Sequence, residues 1–470
     1  MLALATLSVP ILGSFLTLIA DRAAAWLRNL MAVLVVTATF ILCLSLIPGA
    51  PFSKTTALGT LLIPGMDLSL IVDGLGVFVA TMASFIGLLI VFYSFGYMKE
   101  YSHQGEYYFL IVLFLGAMMG LVLSNNLLMM YVFWETTALC SWRLIGFFRV
   151  PEHLRNADTA LMMTVFGSFF MLIGMEMIWH DAGTLTITAL KGKPVSDLSL
   201  FFLFLGILTK SAQVPLQVWL PAAGVAPSPV TALLHAAVLV IIGVFAFARV
   251  FVGAFGLPQG WQTPTFIVAI STIFIASGAA LVENNAKRVL AYSTLGQLGY
   301  VYLGLASGTP IGLAGGLAFL LAHSIAKAGL FLCVGIVEKS AHTRDLREMG
   351  GLLKRMPLTA IAFAICALTI AGIPPTAGFT GKLLIVLGLL QAHTGPYAAL
   401  AAFGGFLTLA YMLRIFNGIF LGAERQPEIK EGTGIMLATV LIFAILSLVI
   451  GLAASRLMNP VNAIAAQLLR

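Results

Sequence analysis

The sequence predicts an all-α polytopic membrane protein, and three observations carry the prediction. Of its 470 residues, 60% are hydrophobic and only 9% charged, whereas soluble chains carry about a quarter of their residues as charges. A mean hydropathy of +1.04 over 50.0 kDa leaves too little polar surface to coat a soluble globule. Long apolar runs, such as Phe201–Ile207 and Ile435–Leu452, lack the alternation that a transmembrane barrel requires. These facts exclude a soluble enzyme, a disordered or collagenous chain and a small disulfide framework.

A membrane helix takes about 20 apolar residues, so the chain has room for roughly fourteen with short connections. The pattern places them at 2–20, 29–48, 73–97, 105–123, 126–148, 157–180, 198–220, 228–254, 263–282, 289–306, 310–338, 357–391, 396–421 and 433–455. The first segment has no basic leader and no polar cleavage region, so it reads as a retained helix rather than a signal peptide. Between the second and third segments, alternation around Leu68–Val72 predicts a short hairpin outside the membrane. No linker is large enough for a soluble domain, so 1–470 is read as one membrane domain. Cys43, Cys140, Cys333 and Cys366 sit singly in apolar runs, as buried packing residues do.

The net charge of +7 marks loops on one side of the membrane rather than a nucleic-acid partner. Counted over alternate loops, Lys and Arg divide roughly fourteen to six, which places both termini on the outer side. The poorer side holds Lys54, Lys191, Lys193, Arg249, Arg456 and Arg470. Arg143, Lys210, Lys327, Lys382 and Arg414 fall in neither set, because they lie inside apolar runs.

Two of the segments are broken by proline and glycine. The seventh is interrupted at Lys210-Ser-Ala-Gln-Val-Pro215, and the twelfth at Gly372-Ile-Pro374-Pro375-Thr-Ala-Gly378, ahead of Lys382. They lie five helices apart, an odd offset that reverses topology. Paired broken helices of this kind point to inverted repeats and to the ion path between them, since proline frees a carbonyl that lipid cannot satisfy.

An ionisable side chain at a helix centre costs about 2.5–3.5 kcal/mol on insertion scales, yet the chain pays it repeatedly. Glu135 has no basic residue within a turn; Lys210 precedes the first break; His235 stands in Thr231-Ala-Leu-Leu-His235. His323 and Lys327 are four apart, on one helix face, and Lys382 follows the second break. For Arg249, Arg414 and Glu176, near helix ends, a paired or snorkelling charge is the expected reading. For Glu135, Lys210, Lys327 and Lys382 an ion or proton route is expected. The chemistry suits protons: burial disfavours an ammonium and a nearby carboxylate restores it. A pair about 4 Å apart is worth about 4 kcal/mol at an effective dielectric of about 20. Histidines between lysines can relay. Sodium, needing several gathered oxygens, has less support. No phosphate loop, dinucleotide fingerprint or cysteine cluster supplies energy, so an ion gradient or another subunit must.

Five motifs together resemble the antiporter-like subunits of respiratory complex I, a family shared with Mrp-type sodium/proton antiporter large subunits and energy-converting hydrogenases. They are the Lys210 segment, Ala226-Pro-Ser-Pro-Val-Thr-Ala-Leu-Leu-His235, Lys287 to Tyr300, His323-Ser-Ile-Ala-Lys327 and Gly372 to Phe379. The resemblance covers roughly residues 60–420, and Trp134-Glu135-Thr-Thr-Ala is nearest the chain-5 branch. It implies fourteen core helices with two inverted five-helix repeats, at 105–254 and 263–421, preceded by 1–104 and followed by 433–470. It also implies roles: Glu135 as input carboxylate, Lys210 as carrier of the first half-channel, His235, His323 and Lys327 as the bridge, and Lys382 as loader of the exit.

Several departures from the family stand out. The chain ends shortly after its last core helix, which favours a smaller redox-linked complex. Ile241 stands where many relatives carry lysine, so the bridge in that helix rests on His235. Arg143 and Asp158 are candidate modulators of the Glu135 region, one version being a swapped ion pair between them. The expectation is a proton-translocating subunit of a redox-driven complex in a cell membrane, with no cofactor of its own. Partners would be further antiporter-like and small membrane subunits, plus a peripheral module holding iron–sulfur clusters, with nickel–iron, flavin or quinone as further candidates. The alternatives are an Mrp-type sodium/proton antiporter subunit without redox coupling, and a structural spacer.

Overall fold

The computed structural model describes residues 1–60, 67–425 and 429–469, and it makes every one of the fourteen apolar segments helical. The first four are α1 (Leu2–Ala23), α2 (Ala25–Leu46), α3 (Gly74–Tyr97) and α4 (Gln104–Leu123). Then come α5 (Leu127–Ile145), α6 (Pro151–Ala182), the half-helix α7 (Asp197–Lys210) and the short α8 (Trp219–Ala222). The next segment is composite: α9 (Ser228–Ala232), a π-helical turn at Leu233–Ala237, α10 (Leu239–Ala246) and a second π stretch at Phe247–Ala254. It is followed by α11 (Gln262–Val282), α12 (Ala286–Ala306), α13 (Pro310–Ala341) and the broken pair α14 (Pro357–Ala371) and α15 (Ala377–Gln391). The chain closes with α16 (Gly395–Phe420), α17 (Gly434–Leu452) and α18 (Ala454–Leu469).

Ten helical stretches among the described residues are long and apolar enough to cross a membrane. This is a multi-pass membrane protein, although fewer segments meet the criterion than the fourteen the hydropathy pattern predicts. The four that fall short are the two broken helices, α5 and α12. The last two carry Glu135, Arg143, Lys287 and Gln297 and are correspondingly less apolar.

Helix starts are fixed by side chains that accept from otherwise orphaned backbone N–H groups. Asp73 caps α3 through Gly76, Asn126 caps α5, Asn285 caps α12 and Thr309 caps α13. The core lies around the composite segment and α13. The most apolar window of Ser228–Ala254 is 100% buried and that of Pro310–Ala341 89%, against 28% for the α2 region. The hairpin forms as β1 (Lys54–Thr60) paired antiparallel with β2 (Asp67–Val72), with a bulge at Ala57/Gly59.

Both breaks fall where proline and glycine place them, and both re-satisfy their backbone locally, as lipid demands. At the first, the Trp219 indole donates to the Thr209 carbonyl at 3.0 Å, and Val214 N donates to Thr272 Oγ1 at 3.1 Å. At the second, Gly372 takes φ 82, and Thr376 Oγ1 donates to the Ile373 carbonyl at 2.7 Å. A Cβ on Gly378 would come within 1.8 Å of the Thr369 carbonyl, so only glycine lets α15 start against the end of α14.

The predicted segments end at residue 455, but the chain goes on as α18. It is a helix whose Val461, Ile464, Ala465 and Leu468 are buried, the i, i+3, i+4, i+7 face of an amphipathic helix. Arg456, Asn459, Asn462 and Gln467 hide it from a search for apolar runs.

Candidate functional site

Glu135 sits near the middle of α5, half-buried, and its Oε1 has no hydrogen-bond partner. Lys210, 1% exposed, is the last residue of α7, where the carbonyl end of a helix favours a cation. Its ammonium donates to the Trp134 carbonyl at 3.0 Å and lies 5.2 Å from the centre of the Trp134 ring. Glu135 is near enough to act on Lys210 electrostatically, but the carbonyl next to it takes the hydrogen bond. The expected carboxylate–lysine pair is therefore a pair of neighbours rather than a closed salt bridge.

His235 lies in the π turn that splits the composite helix, and such one-residue insertions recur at functional sites. Neither ring nitrogen has a partner, and the ring stacks on Phe331 at 4.5 Å. The irregular turn also presents the His235 carbonyl to α13, where His323 Nε2 lies 3.4 Å away. One helical turn further, Lys327 donates to the Leu290 carbonyl of α12 at 3.1 Å. Lys382 sits just past the first turn of α15 with no acceptor for its Nζ, held between the rings of Tyr300 at 4.3 Å and Phe319 at 5.2 Å.

The structure thus gathers the predicted residues into two groups. Glu135 and Lys210 form one. His235, His323, Lys327 and Lys382 form the other, with electrostatic interaction linking each to the next. No hydrogen bond joins the groups among the described residues. Between His235 and the second π stretch, all of α10 is buried and apolar, and Ile241 is wholly enclosed.

The expected Arg143–Asp158 pair does not form. Arg143 instead pairs with Glu106 of α4, which also takes Arg149 at 2.8 Å. Asp158 accepts from the Trp142 indole at 2.8 Å. The reason is placement: Arg143 is in the last turn of α5, where α4 offers a nearer acid than α6 does. Arg249 is a paired structural charge, as expected, whereas Arg414 is held by neutral acceptors. Arg249 is doubly bonded to Asp73, and Arg414 holds the Glu283 carbonyl and, at 2.7 Å, Asn284.

Two polar clusters escaped the sequence reading. Lys287 lies just ahead of the predicted 289–306 segment; it is wholly buried in the first turn of α12. It bonds Glu338 at 2.6 Å and the Ala226 carbonyl at 3.0 Å, while Glu338 also holds Arg344 and Ser228. The second cluster lies between α12 and α16, where Gln297 donates to Tyr411 at 2.9 Å and to Thr408 at 3.3 Å. Ser293 bonds the same Tyr411 hydroxyl at 3.0 Å. The signal was present: Ser293, Gln297 and Tyr300 share one helix face at spacings of four and three. Tyr300 connects this cluster to Lys382.

Helices broken at mid-length, with buried ionisable side chains strung between them, define the class: a multi-pass membrane protein built around a polar axis. The chain belongs to the NADH:quinone oxidoreductase/Mrp antiporter transmembrane family, whose model matches residues 124–408. Residues 64–108 match the N-terminal model of complex I chain 5. The chain is 34% identical over 424 residues to the Na(+)/H(+) antiporter subunit A1 of Staphylococcus haemolyticus, covering 83% of this chain and 53% of that protein. It is likewise 34% identical over 423 residues to the subunit A1 of Staphylococcus saprophyticus, at 83% and 52% coverage. The chain spans about half the length of the curated relatives it matches. The fold is also that of a chain in the Mrp complex from Dietzia sp. DQ12-45-1b, with a TM-score of 0.91, 24% identity and coverage of 100% and 97%. A chain of the membrane-bound sulfane sulfur reductase, an archaeal respiratory membrane complex, matches with a TM-score of 0.92, 22% identity and coverage of 100% and 98%.

Proposed function

We propose that this chain is a proton-translocating, antiporter-like subunit of a multi-subunit complex in a cell membrane. The observation that carries the reading is the run of buried ionisable groups left without strong partners: Glu135, His235, His323 and Lys382 each keep an unsatisfied polar atom. Burying such groups is costly unless they are used. Glu135 would load Lys210; His235, His323 and Lys327 would pass charge between the halves; Lys382 would release it past Tyr300 and Gln297. In this reading residues 105–254 and 263–421 act as inverted repeats, each with its own broken helix, and both termini face outward.

Two couplings have separate support. Exchange against sodium is supported by the names of the relatives at 34% identity. Drive from a redox module, with iron–sulfur clusters and a quinone, flavin or nickel–iron centre in partner subunits, is supported by the match to the complex I family models. The test is the complex purified from its own membrane, its subunits identified by mass spectrometry and its iron measured. In inverted vesicles, proton movement evoked by sodium supports the first coupling, and movement evoked only by an electron donor the second. Movement unchanged by Lys210→Met under either drive would overturn the reading itself.

A further inference from the structure

An apolar groove of about 910 Å³ opens beside α3, away from the charged axis. Its walls include Phe78, Phe85, Ile325, Ile450, Leu457 and Ile464, drawn from α3, α13, α17 and α18. From Gly74 to Phe85, both of which line it, α3 rises about 16 Å at ~1.5 Å per residue. That is close to the depth of one leaflet, about half of a ~30 Å hydrocarbon core. The helix α18 forms the outer wall and is fixed there by Gln467. Its amide accepts from Gly74 N at 2.8 Å and donates to Ser53 Oγ at 2.6 Å and to the Ala50 carbonyl at 3.2 Å.

Basic residues lie in the lining of this groove or next to it in the chain. Lys191 lines it, Lys54 follows the lining residue Ser53, and Arg456 precedes the lining residue Leu457. None of these three makes an ion pair with another described residue, whereas Arg249, on the same side of the membrane in the loop count, is tied to Asp73. Inside, the buried hydroxyl of Thr81 also lines the groove without a partner. A slot one leaflet deep, apolar within and cationic at the headgroup level, is complementary to one chemical class.

We propose that this groove is a binding site for an anionic glycerophospholipid, with its acyl chains along α3 and its phosphate at Lys191. Free cations near the headgroup level attract acidic lipid, and the acyl chains fill the groove by van der Waals packing. The site is separate from the ion path and does not depend on how the complex is driven.

The complex, purified in mild detergent, is loaded with phosphatidylglycerol or phosphatidylcholine, washed, and weighed intact by native mass spectrometry. Its thermal midpoint is read with each lipid. The unmodified chain is expected to retain phosphatidylglycerol in preference to phosphatidylcholine and to melt higher with it. Ala463→Trp, which fills the groove, and Lys191→Glu, which reverses the charge at its mouth, should each abolish that preference. Should Ala463→Trp fail to fold, Lys191→Glu decides alone, since Lys191 is exposed. Equal retention of the two lipids, or the same preference in Lys191→Glu, would overturn the site, as would a partner subunit's helix cross-linked into the groove.

Discussion

Buried charges near the ends of the membrane segments and buried charges near their breaks and middles are held in opposite ways in this protein. At the ends, three buried cations are each closed by a carboxylate. Arg249 is chelated by the capping carboxylate Asp73, Lys287 by Glu338, and Arg28 by Asp21 at 2.7 Å. In the middles, Lys210 and Lys327 rest on single backbone carbonyls, while Lys382 has only aromatic faces. Both settings are equally dry, since Lys210, Lys287 and Lys327 are each no more than 1% exposed. Burial alone therefore does not separate the two settings. The partner does: a charge locked by a carboxylate holds helices together, and one on a lone carbonyl can be lost and regained at moderate cost.

The comparison breaks most visibly at Asp73. Asp73→Ala leaves the Arg249 guanidinium buried and uncompensated, a loss of about 3–5 kcal/mol for such a pair. It should appear as a sharp fall in thermal midpoint or in recovered complex. Asp73→Leu combined with Arg249→Met should recover most of that loss, because two apolar groups cost less than one orphaned charge. If the double variant is as poor as the single one, the end charges do more than clamp.

At the middles the reverse is expected. Lys382→Met should reduce proton movement about 100-fold, the scale of one positioned proton-transfer group. Its thermal midpoint should stay level or rise, since an ammonium without an acceptor is removed. The check is paired: vesicle transport with a pH-sensitive dye, and melting of the same preparation. A falling midpoint with intact transport would place Lys382 among the clamps.

Much of this division was legible in the sequence, and what was missed has physical reasons. Glu135, Lys210, His323, Lys327 and Lys382 stood out because each interrupts an apolar run and so announces its own cost. Lys287 did not, because an Asn-Asn-Ala-Lys287-Arg stretch at a helix start reads as a solvated loop. Its burial follows from Glu338, 51 residues later in the chain (338 minus 287), and no local pattern carries that pairing. Arg143 was recognised as out of place, yet its acid was misassigned, because the choice between Glu106 and Asp158 depends on how α4, α5 and α6 cross. Both breaks followed from Pro and Gly. The π turn at His235 left no mark in the composition, for it is the packing against α13 that holds it.

Arg143 sharpens the comparison at an intermediate position. Its pair with Glu106 leaves 31% and 28% of the side chains exposed, so water already shares the charge. Arg143→Ala should cost about 1–2 kcal/mol, the scale of hydrogen bonds to a charged group, with Arg149 left to hold Glu106. Glu106→Gln should cost a similar amount, because the amide keeps one acceptor oxygen for one arginine and turns its NH2 toward the other. A loss as large as that at Asp73 would mean that α4 and α5 are held together chiefly by this pair.

The smallest effect belongs at the surface, on the loop that links α13 to α14. Arg355 and Glu424 are paired there with 44% and 36% of their side chains exposed. Ion pairs this wet are worth about 0–1 kcal/mol, because both charges lose little solvation in either state and salt screens what remains. Arg355→Ala should shift the thermal midpoint barely at all, and the shift should vanish as ionic strength is raised. The same salt titration on the unmodified protein should leave the Asp73–Arg249 clamp untouched, since its side chains are only 10% and 6% exposed. A clamp that weakened with salt in step with Arg355–Glu424 would have to be reached by water, and the contrast between ends and middles would then be one of solvation rather than of partner.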